Sequence, residues 1–127
     1  TVSRMAENLE RMGDRFARRL LTETEYKEYE KKHNGAAYLA KRFAAKEAAS
    51  KALGTGFRRG VFWRDLGVVN LPSGKPTLEL TGDALKRLQE MLSPGMKAQI
   101  DLTITDDHPL AQAIVLITSV PADTPLA

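Results

Sequence analysis

The segment from Ala36 to Leu53 constrains the fold more than any other part of the sequence. It is rich in alanine, lysine, glutamate and arginine, and it contains neither proline nor glycine. Those residue types have high helix propensity, and the Gly54 that follows is typical of the position just beyond a helix end. The sequence therefore predicts one long helix over residues 36–53, against which the rest of the chain must pack.

The chain before this helix is also predicted to be helical. Residues 1–21 form a basic amphipathic segment, because apolar and basic residues each recur at helical spacing. The apolar stripe consists of Met5, Leu9, Met12, Phe16 and Leu20, and the basic stripe beside it of Arg4, Arg11, Arg15 and Arg18. Gly13 and Asp14 are expected to interrupt the segment, as a helix stop and a new N-cap. Thr22 and Glu25 have the capping-box spacing, which predicts a further helix to about Lys32.

The second half of the chain favours short strands. Leu66–Val69 and Thr77–Leu80 read as a hairpin, and 83–91 as a short helix. Ile100, Leu102 and Ile104 alternate with polar residues as a half-buried strand does, and 111–120 is a more continuously apolar strand. The expected fold class is α+β: one domain over residues 1–127, with N-terminal helices followed by a small, largely antiparallel sheet. Residues 121–127 are expected to form a frayed tail.

Composition narrows the classes of function. The chain has 127 residues, a net charge of +3 and a pI near 9.3, which favours an acidic partner or a phosphorylated ligand. It contains no cysteine, which excludes disulfides and zinc–thiolate sites and suits a cytoplasmic location. No segment has the length and apolarity of a membrane span, and the first residues lack the apolar core of a secretory signal. Nucleic-acid binding is not favoured, because aromatic residues make up only 6% of the chain and none is interleaved with the basic stripe.

Glu47 and Lys51 are the first candidate site residues, since their spacing of four places them on one face of the predicted helix. An exposed ion pair is the ordinary interpretation of such a spacing. The alternative is a carboxylate that holds a hard cation beside a lysine that meets phosphate. Mg²⁺ commonly takes one or two protein carboxylates and leaves its other positions to water and substrate phosphates.

A longer motif decides between them. Residues 42–56 read Arg-Phe-Ala-Ala-Lys-Glu-Ala-Ala-Ser-Lys-Ala-Leu-Gly-Thr-Gly, which resembles the signature of phosphopantetheinyl transferases of the holo-(acyl-carrier-protein) synthase type. Segments 13–21, 74–76 and 103–106 also resemble that family, so the similarity covers nearly the whole chain. It implies the 4′-phosphopantetheinyl transferase fold and transfer of phosphopantetheine from coenzyme A to a serine of an acyl carrier protein. Adenosine 3′,5′-bisphosphate would leave, and the reaction would support fatty acid biosynthesis.

The resemblance also implies roles for individual residues. Glu47 would be a Mg²⁺ ligand, and Lys51 would contact the pyrophosphate of coenzyme A. The family places residues equivalent to Arg42 and Lys75 on the nucleotide side of the site, near the 3′-phosphate. The remaining coenzyme A residues would be Gly54, Thr55 and Gly56, where the backbone approaches the ligand, together with Asp106.

The carrier protein is expected on the basic N-terminal segment, because acyl carrier proteins are acidic. Arg4, Arg11, Arg15 and Arg19 match positively charged family positions, and Phe16 is a candidate apolar anchor. The alternatives are a solvated charged face for the arginines and core packing for Phe16. The family further implies a homotrimer with active sites shared between subunits.

One family feature does not appear in the opening residues. Members of the family open with a Gly-x-Gly-x-Asp strand whose Asp is the other Mg²⁺ ligand, and residues 1–4 offer no such Asp. Either the sequence given lacks the start of the protein, or the metal site is incomplete, and the chain as given is expected to bind Mg²⁺ weakly and turn over slowly. It leaves open a second hypothesis, a non-catalytic module that binds coenzyme A and acyl carrier protein.

Overall fold

Five α-helices and two β-hairpins make up the described part of the chain. The computed structural model describes residues 2–12, 14–56, 62–107 and 110–125. The helices are α1 (Val2–Met12), α2 (Asp14–Leu20), α3 (Glu23–Glu30), α4 (Gly35–Ala52) and α5 (Gly82–Met91). The strands are β1 (Leu66–Asn70), β2 (Pro76–Leu80), β3 (Met96–Asp107) and β4 (Leu110–Pro121), and a 3₁₀ turn (Trp63–Asp65) precedes β1. The expected α+β order, with helices first, is confirmed.

Helix α4 begins and ends where local chemistry predicts. The side chain of Asn34 accepts a hydrogen bond from the N–H of Ala37 at 3.0 Å, which caps the first turn. At the other end Gly54 adopts a positive φ of 74°, and its N–H donates to the carbonyl of Lys51 at 3.0 Å. The helix predicted over 36–53 is therefore present, displaced by one residue.

The capping box of α3 is also confirmed. The N–H of Glu25 donates to the hydroxyl of Thr22 at 3.2 Å, and the Glu25 carboxylate accepts from the N–H of Thr22 at 2.9 Å. The helix ends at Glu30, two residues before the predicted end near Lys32. In the N-terminal segment α1 ends at Met12 and α2 begins at Asp14, and Gly13, where the predicted interruption falls, lies outside the described residues.

The strands pair as two antiparallel hairpins. Leu66 lies opposite Leu80 in the first, and Met96 lies opposite Pro121 in the second. A single small sheet was expected, but ladder pairing does not extend from β2 to β3. The Thr77 hydroxyl, which donates to the carbonyl of Ile100 at 3.0 Å, joins the hairpins through a side chain instead.

Helix α4 lies between two hydrophobic clusters. Its N-terminal half contributes Tyr38, Leu39 and Ala40 to the helical cluster, which it shares with α1, α2 and the segment that follows α2. Its C-terminal half contributes Ala45 and Ala49 to the hairpin cluster, formed with β1, β2, β3 and α5. Both halves of the helix are therefore packed against a core, and two independent contacts fix the outward direction of its remaining side chains.

The segment after β4 is tied to the start of β3. The N–H of Ala122 donates to the carbonyl of Gly95 at 2.9 Å, and the ammonium of Lys97 donates to the carbonyl of Thr124. The first part of the predicted frayed tail is therefore held by hydrogen bonds and begins inside β4 at Pro121, whereas residues 126–127 lie outside the described part of the chain.

In the ranges that the structure describes, every helix is too short or too polar to cross a membrane.

Candidate functional site

The signature helix turns Lys46 inward. Lys46 is completely buried, and its ammonium donates to the Glu25 carboxylate and to the carbonyl of Leu20, both at 2.6 Å. Burial lowers the pKa of Lys46, and the neighbouring Glu25 carboxylate opposes that shift. Lys46 therefore fastens α4 to α2 and α3 rather than facing a ligand.

Glu25 collects hydrogen bonds from several elements. Its carboxylate is 2% exposed and accepts from the Lys46 ammonium and from the N–H groups of Thr22 and Val68, the last at 3.0 Å. Helix α3, helix α4 and strand β1 thus meet at one carboxylate. The sequence identified Glu25 only as a capping residue, because its partners on α4 and β1 are distant in the chain.

Arg42 lies beside the same carboxylate. Its Nε is 3.8 Å from a Glu25 carboxylate oxygen, and the carbon of its guanidinium is 4.6 Å from the centre of the Tyr38 ring. The Nε atom is buried, while 22% of the side chain remains exposed. One edge of the guanidinium therefore faces the protein, and part of the side chain is accessible to a ligand.

Glu47 and Lys51 lie on the outer part of α4. The Glu47 side chain is half-buried and the Lys51 side chain is exposed. No ion pair joins the two within the described residues, so the ordinary interpretation of their spacing is not realised. Both side chains are available to a ligand that approaches the C-terminal half of the helix.

The loop after α4 folds back on its last turn. The N–H groups of Thr55 and Gly56 both donate to the carbonyl of Ser50 at 3.2 Å, and Arg87 of α5 donates to the carbonyl of Leu53 at 2.9 Å. A positively charged side chain at this end of a helix interacts favourably with its dipole. Gly56 has a φ of 56°, and a Cβ built there would meet no described atom within 4 Å. The loop is therefore anchored, and its backbone is open to close approach.

Lys75 occupies a separate region. It lies in the turn between β1 and β2, and its ammonium pairs with the Asp101 carboxylate of β3 at 2.7 Å. The two residues line a groove of about 300 Å³ between the hairpins, whose walls include Thr77 and Ile100 but no residue of α4. The structure therefore does not bring Lys75 into one cavity with the signature helix.

Asp106 is placed by its backbone alone. It lies on β3 opposite Ala111 of β4, and its side chain is outside the described part of the structure.

The predicted carrier surface is divided between two helices. Arg4 and Arg11 lie on α1 and Arg15 and Arg19 on α2, and all four side chains are exposed. Arg18, which the single-stripe prediction included, stacks on the Tyr26 ring at 4.4 Å. All five arginine side chains are exposed, and their role as a carrier surface stays a prediction.

Phe16 is a core residue. It is 8% exposed, and its ring centre is 6.0 Å from the Trp63 ring and 6.5 Å from the Phe43 ring. An anchor for another protein has to be exposed, so the core alternative fits the structure and the anchor interpretation does not.

A preassembled metal cluster is not seen in the described ranges, where no group of three or more His, Cys, Asp or Glu side chains could hold an ion. The accessible carboxylate of Glu47, with Lys51 one turn further along, fits a cation that takes few protein ligands and completes its shell with water and phosphate. A Mg²⁺ ion is bound in this manner in many phosphate-handling enzymes.

Comparison with known proteins gives one consistent result. A sequence model of the 4′-phosphopantetheinyl transferase superfamily matches residues 1–113. The chain is 59% identical over 121 residues to a holo-[acyl-carrier-protein] synthase of Phenylobacterium zucineum, covering 95% of this chain and 88% of that protein. It is 60% identical over 120 residues to the synthase of Parvibaculum lavamentivorans, covering 94% and 90%.

Solved structures agree with the sequences. The crystal structure of a holo-[acyl-carrier-protein] synthase from Neisseria meningitidis matches with a TM-score of 0.79 and 36% identity, over 93% of this chain and 91% of that chain. A Bacillus anthracis holo-(acyl-carrier-protein) synthase in complex with CoA (3′,5′-ADP) matches with a TM-score of 0.65 and 33% identity, over 87% and 86%.

Proposed function

This chain belongs to the 4′-phosphopantetheinyl transferase superfamily, and from that membership we infer that it has holo-(acyl-carrier-protein) synthase activity. It transfers the 4′-phosphopantetheine group of coenzyme A to a serine of apo-acyl carrier protein and releases adenosine 3′,5′-bisphosphate. The observation that carries this conclusion is 59% identity to a synthase over 95% of the chain. The hypothesis of a non-catalytic binding module is not favoured by that similarity.

The reaction exchanges one phosphorus–oxygen bond for another. The carrier serine hydroxyl gives up its proton to a base as its oxygen attacks the phosphorus that bears pantetheine, and the bond from that phosphorus to the nucleotide portion breaks, which releases adenosine 3′,5′-bisphosphate. Negative charge grows on the pyrophosphate oxygens as the bond breaks, and stabilising it lowers the barrier. Lys51 supplies a positive charge from the exposed face of α4, and a fixed position of the serine relative to the phosphorus supplies much of the remaining rate.

Glu47 is the proposed protein ligand of Mg²⁺. When bound, the ion would neutralise part of the charge on the pyrophosphate. Support comes from the half-buried carboxylate of Glu47, which forms no ion pair with Lys51 in the described part of the chain. The site needs few protein carboxylates, because substrate phosphate and water can complete the octahedral shell.

The nucleotide side of coenzyme A is proposed to contact Arg42, Lys75 and Asp106, with the loop Gly54–Gly56 against the ligand. A guanidinium held at one edge can present its other donors to a phosphate oxygen. Lys75 lies in a groove that contains no part of α4, which supports a site built by two subunits rather than by one.

A homotrimer with shared sites is part of the proposal. The described β4 exposes Ile114 and Leu116 on the face that points away from the hairpin cluster. Exposed large apolar side chains that neighbour one another on a strand are typical of a surface buried by a partner. A cytoplasmic location is also proposed, and the absence of cysteine suits it.

Acyl carrier protein is the proposed second substrate, docked on the exposed arginines Arg4, Arg11, Arg15 and Arg19. Their positive charge would attract an acidic surface and accelerate the encounter. Phe16 is left out of this surface because it is buried.

The metal assignment is tested by titrating Mg²⁺ in a transfer assay with Glu47→Gln. The neutral amide is a poorer ligand for a hard cation, so we expect the rate at limiting Mg²⁺ to fall by about a hundredfold or more. Glu90→Gln on the exposed surface of α5 is the matched control and should titrate like the wild type. Equal Mg²⁺ dependence in Glu47→Gln and the wild type would reject Glu47 as the ligand.

A further inference from the structure

We propose that Glu25 is a positioning residue for coenzyme A binding, which sets the orientation of the Arg42 guanidinium through its carboxylate and through Tyr38. This inference rests on the proposed function, in which Arg42 contacts the 3′-phosphate of the nucleotide. Glu25 itself is 2% exposed and cannot meet the ligand. Its effect on the substrate has to pass through its neighbours.

The first connection is electrostatic. The Nε of Arg42 is 3.8 Å from a carboxylate oxygen of Glu25, too far for a hydrogen bond but close enough for attraction between opposite charges in a poorly hydrated site. The Nε atom is itself buried, and it has no hydrogen-bond partner among the residues that the structure describes. The carboxylate is therefore the group that makes the inward orientation of this buried donor favourable.

The second connection passes through Tyr38. The Tyr38 hydroxyl donates to the backbone carbonyl of Glu25 at 3.1 Å, and the ring of the same residue lies 4.6 Å from the guanidinium carbon of Arg42. A guanidinium over an aromatic face is held by a cation–π interaction. Glu25 thus fixes the ring on which Arg42 rests, and the guanidinium is held along one edge and one face.

Variants of Lys46 allow the role of Glu25 in coenzyme A binding to be measured separately from its role in stability. It shares the Glu25 carboxylate at 2.6 Å but is completely buried, so it contributes to the fold and has no exposed part that could meet a ligand. Removing Glu25 alone would leave the Lys46 charge buried without a partner, which is strongly destabilising. Removing both charges together avoids that problem, and replacing a buried ion pair by neutral groups is often tolerated.

The experiment compares Lys46→Met with the double variant Glu25→Gln/Lys46→Met, since these two proteins differ only in the Glu25 carboxylate. Binding of coenzyme A and of 3′-dephospho-coenzyme A is measured by calorimetry, after thermal unfolding has shown that each variant is folded. We expect the double variant to bind coenzyme A about tenfold more weakly than Lys46→Met, as coupled neighbours commonly do. Affinity for 3′-dephospho-coenzyme A should be equal in both proteins, which a general structural defect would not produce.

The same comparison in an Arg42→Met background separates this inference from the proposed function. If Glu25 acts through Arg42, Arg42→Met weakens coenzyme A binding, and the double variant adds no further loss in that background. Arg42→Met with normal coenzyme A affinity would reject the role of Arg42 and this inference with it. A weakened Arg42→Met, combined with equal affinities for Lys46→Met and the double variant, would reject the inference alone.

A milder variant decides the matter if the double variant does not fold. Tyr38→Phe keeps the ring but removes the hydroxyl that binds the Glu25 carbonyl. It should weaken coenzyme A binding about threefold in the wild-type background and have no effect in Arg42→Met, as expected for coupled neighbours. Unchanged affinity for coenzyme A in Tyr38→Phe would contradict the proposal.

Discussion

The helical cluster and the β3–β4 hairpin differ in how far their side chains are buried and paired within the chain. In the helical cluster the buried charges of Glu25 and Lys46 are paired within the chain, and the Phe16 ring packs between other aromatic rings. On β4, side chains alternate between half-buried and exposed, and the exposed ones include Ile114 at 63% and Leu116 at 61%. The first region pairs its buried charges within the chain, whereas the second presents apolar surface to its surroundings.

The two regions therefore contribute to function in different ways. A region that is closed on itself can hold α4 and its charged residues in a fixed direction without help from a partner. A hairpin with an apolar outer face gains further stability when another surface covers that face. We therefore infer that the helical cluster orients the charged residues of α4. The outer face of the β3–β4 hairpin would mediate assembly of subunits.

Glu25→Gln should produce the largest loss of stability, because it removes the carboxylate that pairs with a buried lysine in the helical cluster. The Lys46 ammonium would remain buried without its counter-charge, and losses of about 3–5 kcal/mol are typical of that situation. The free energy of unfolding in urea measures the effect. Glu30→Gln, an exposed glutamate on the same helix, serves as control, and a loss no greater than in that control would show that the buried pair does not organise the region.

Leu116→Lys tests whether another subunit covers the exposed apolar face of β4. A charged side chain in place of an exposed leucine should prevent coverage of the β4 face, since burying a leucine contributes about 1.5–3 kcal/mol and burying a lysine does not. We expect the assembly to dissociate into folded monomers in analytical ultracentrifugation. Gln89→Lys adds the same charge on α5 and should leave the assembly intact. A wild-type protein that is already monomeric would contradict the assignment of this face.

Arg15→Glu tests whether the exposed arginines of the N-terminal helices attract acyl carrier protein. The exposed charge on α2 should attract the carrier, so its reversal is expected to raise the KM for acyl carrier protein severalfold with little change in coenzyme A binding. The wild-type association rate should also fall steeply with salt, because screening acts beyond about 10 Å at 0.1 M ionic strength. Lys86→Glu on α5 is the control. An unchanged KM in Arg15→Glu, together with a flat salt response, would return the arginines to a merely solvated face.

The smallest expected effect concerns the link between the hairpins. Hydrogen bonds from Lys75 and then Gln99 lower the pKa of Asp101 below its ordinary value of 3.8. Since the folded pKa is the lower one, the pair stabilises the fold above about pH 3.8, and that contribution is lost as the pH falls through the folded pKa. Lys75→Met should raise the pKa of Asp101 in a carboxyl NMR titration, whereas Lys86→Met should not. An Asp101 pKa that is the same in Lys75→Met and in the wild type would remove this link.

The sequence predicted those elements whose causes are local. The capping box of α3 needs only Thr22 and Glu25, and the limits of α4 need only its composition and Gly54, so both were found. The outward position of Glu47 and Lys51 follows from helical spacing, and the resemblance to a known signature supplied their proposed roles. Local chemistry was sufficient in each case.

Contacts between distant residues were missed for a physical reason. Lys46 pairs with Glu25 across 21 residues, and neither residue type nor spacing specifies that meeting. Phe16 was ambiguous because one apolar residue on a stripe can face a core or a partner. The division of the expected single sheet into two hairpins likewise depends on how β2 meets β3, which no local pattern determines.

The transfer of phosphopantetheine to acyl carrier protein can be tested by measuring the mass of the carrier. Apo-acyl carrier protein is incubated with the protein, coenzyme A and Mg²⁺, and intact-mass spectrometry follows the carrier while chromatography follows the nucleotide. The account predicts that the carrier gains one phosphopantetheine group, with an equal amount of adenosine 3′,5′-bisphosphate released, and that a carrier with alanine at the acceptor serine gains nothing. A carrier of unchanged mass, in a sample where the protein demonstrably binds coenzyme A, would contradict it.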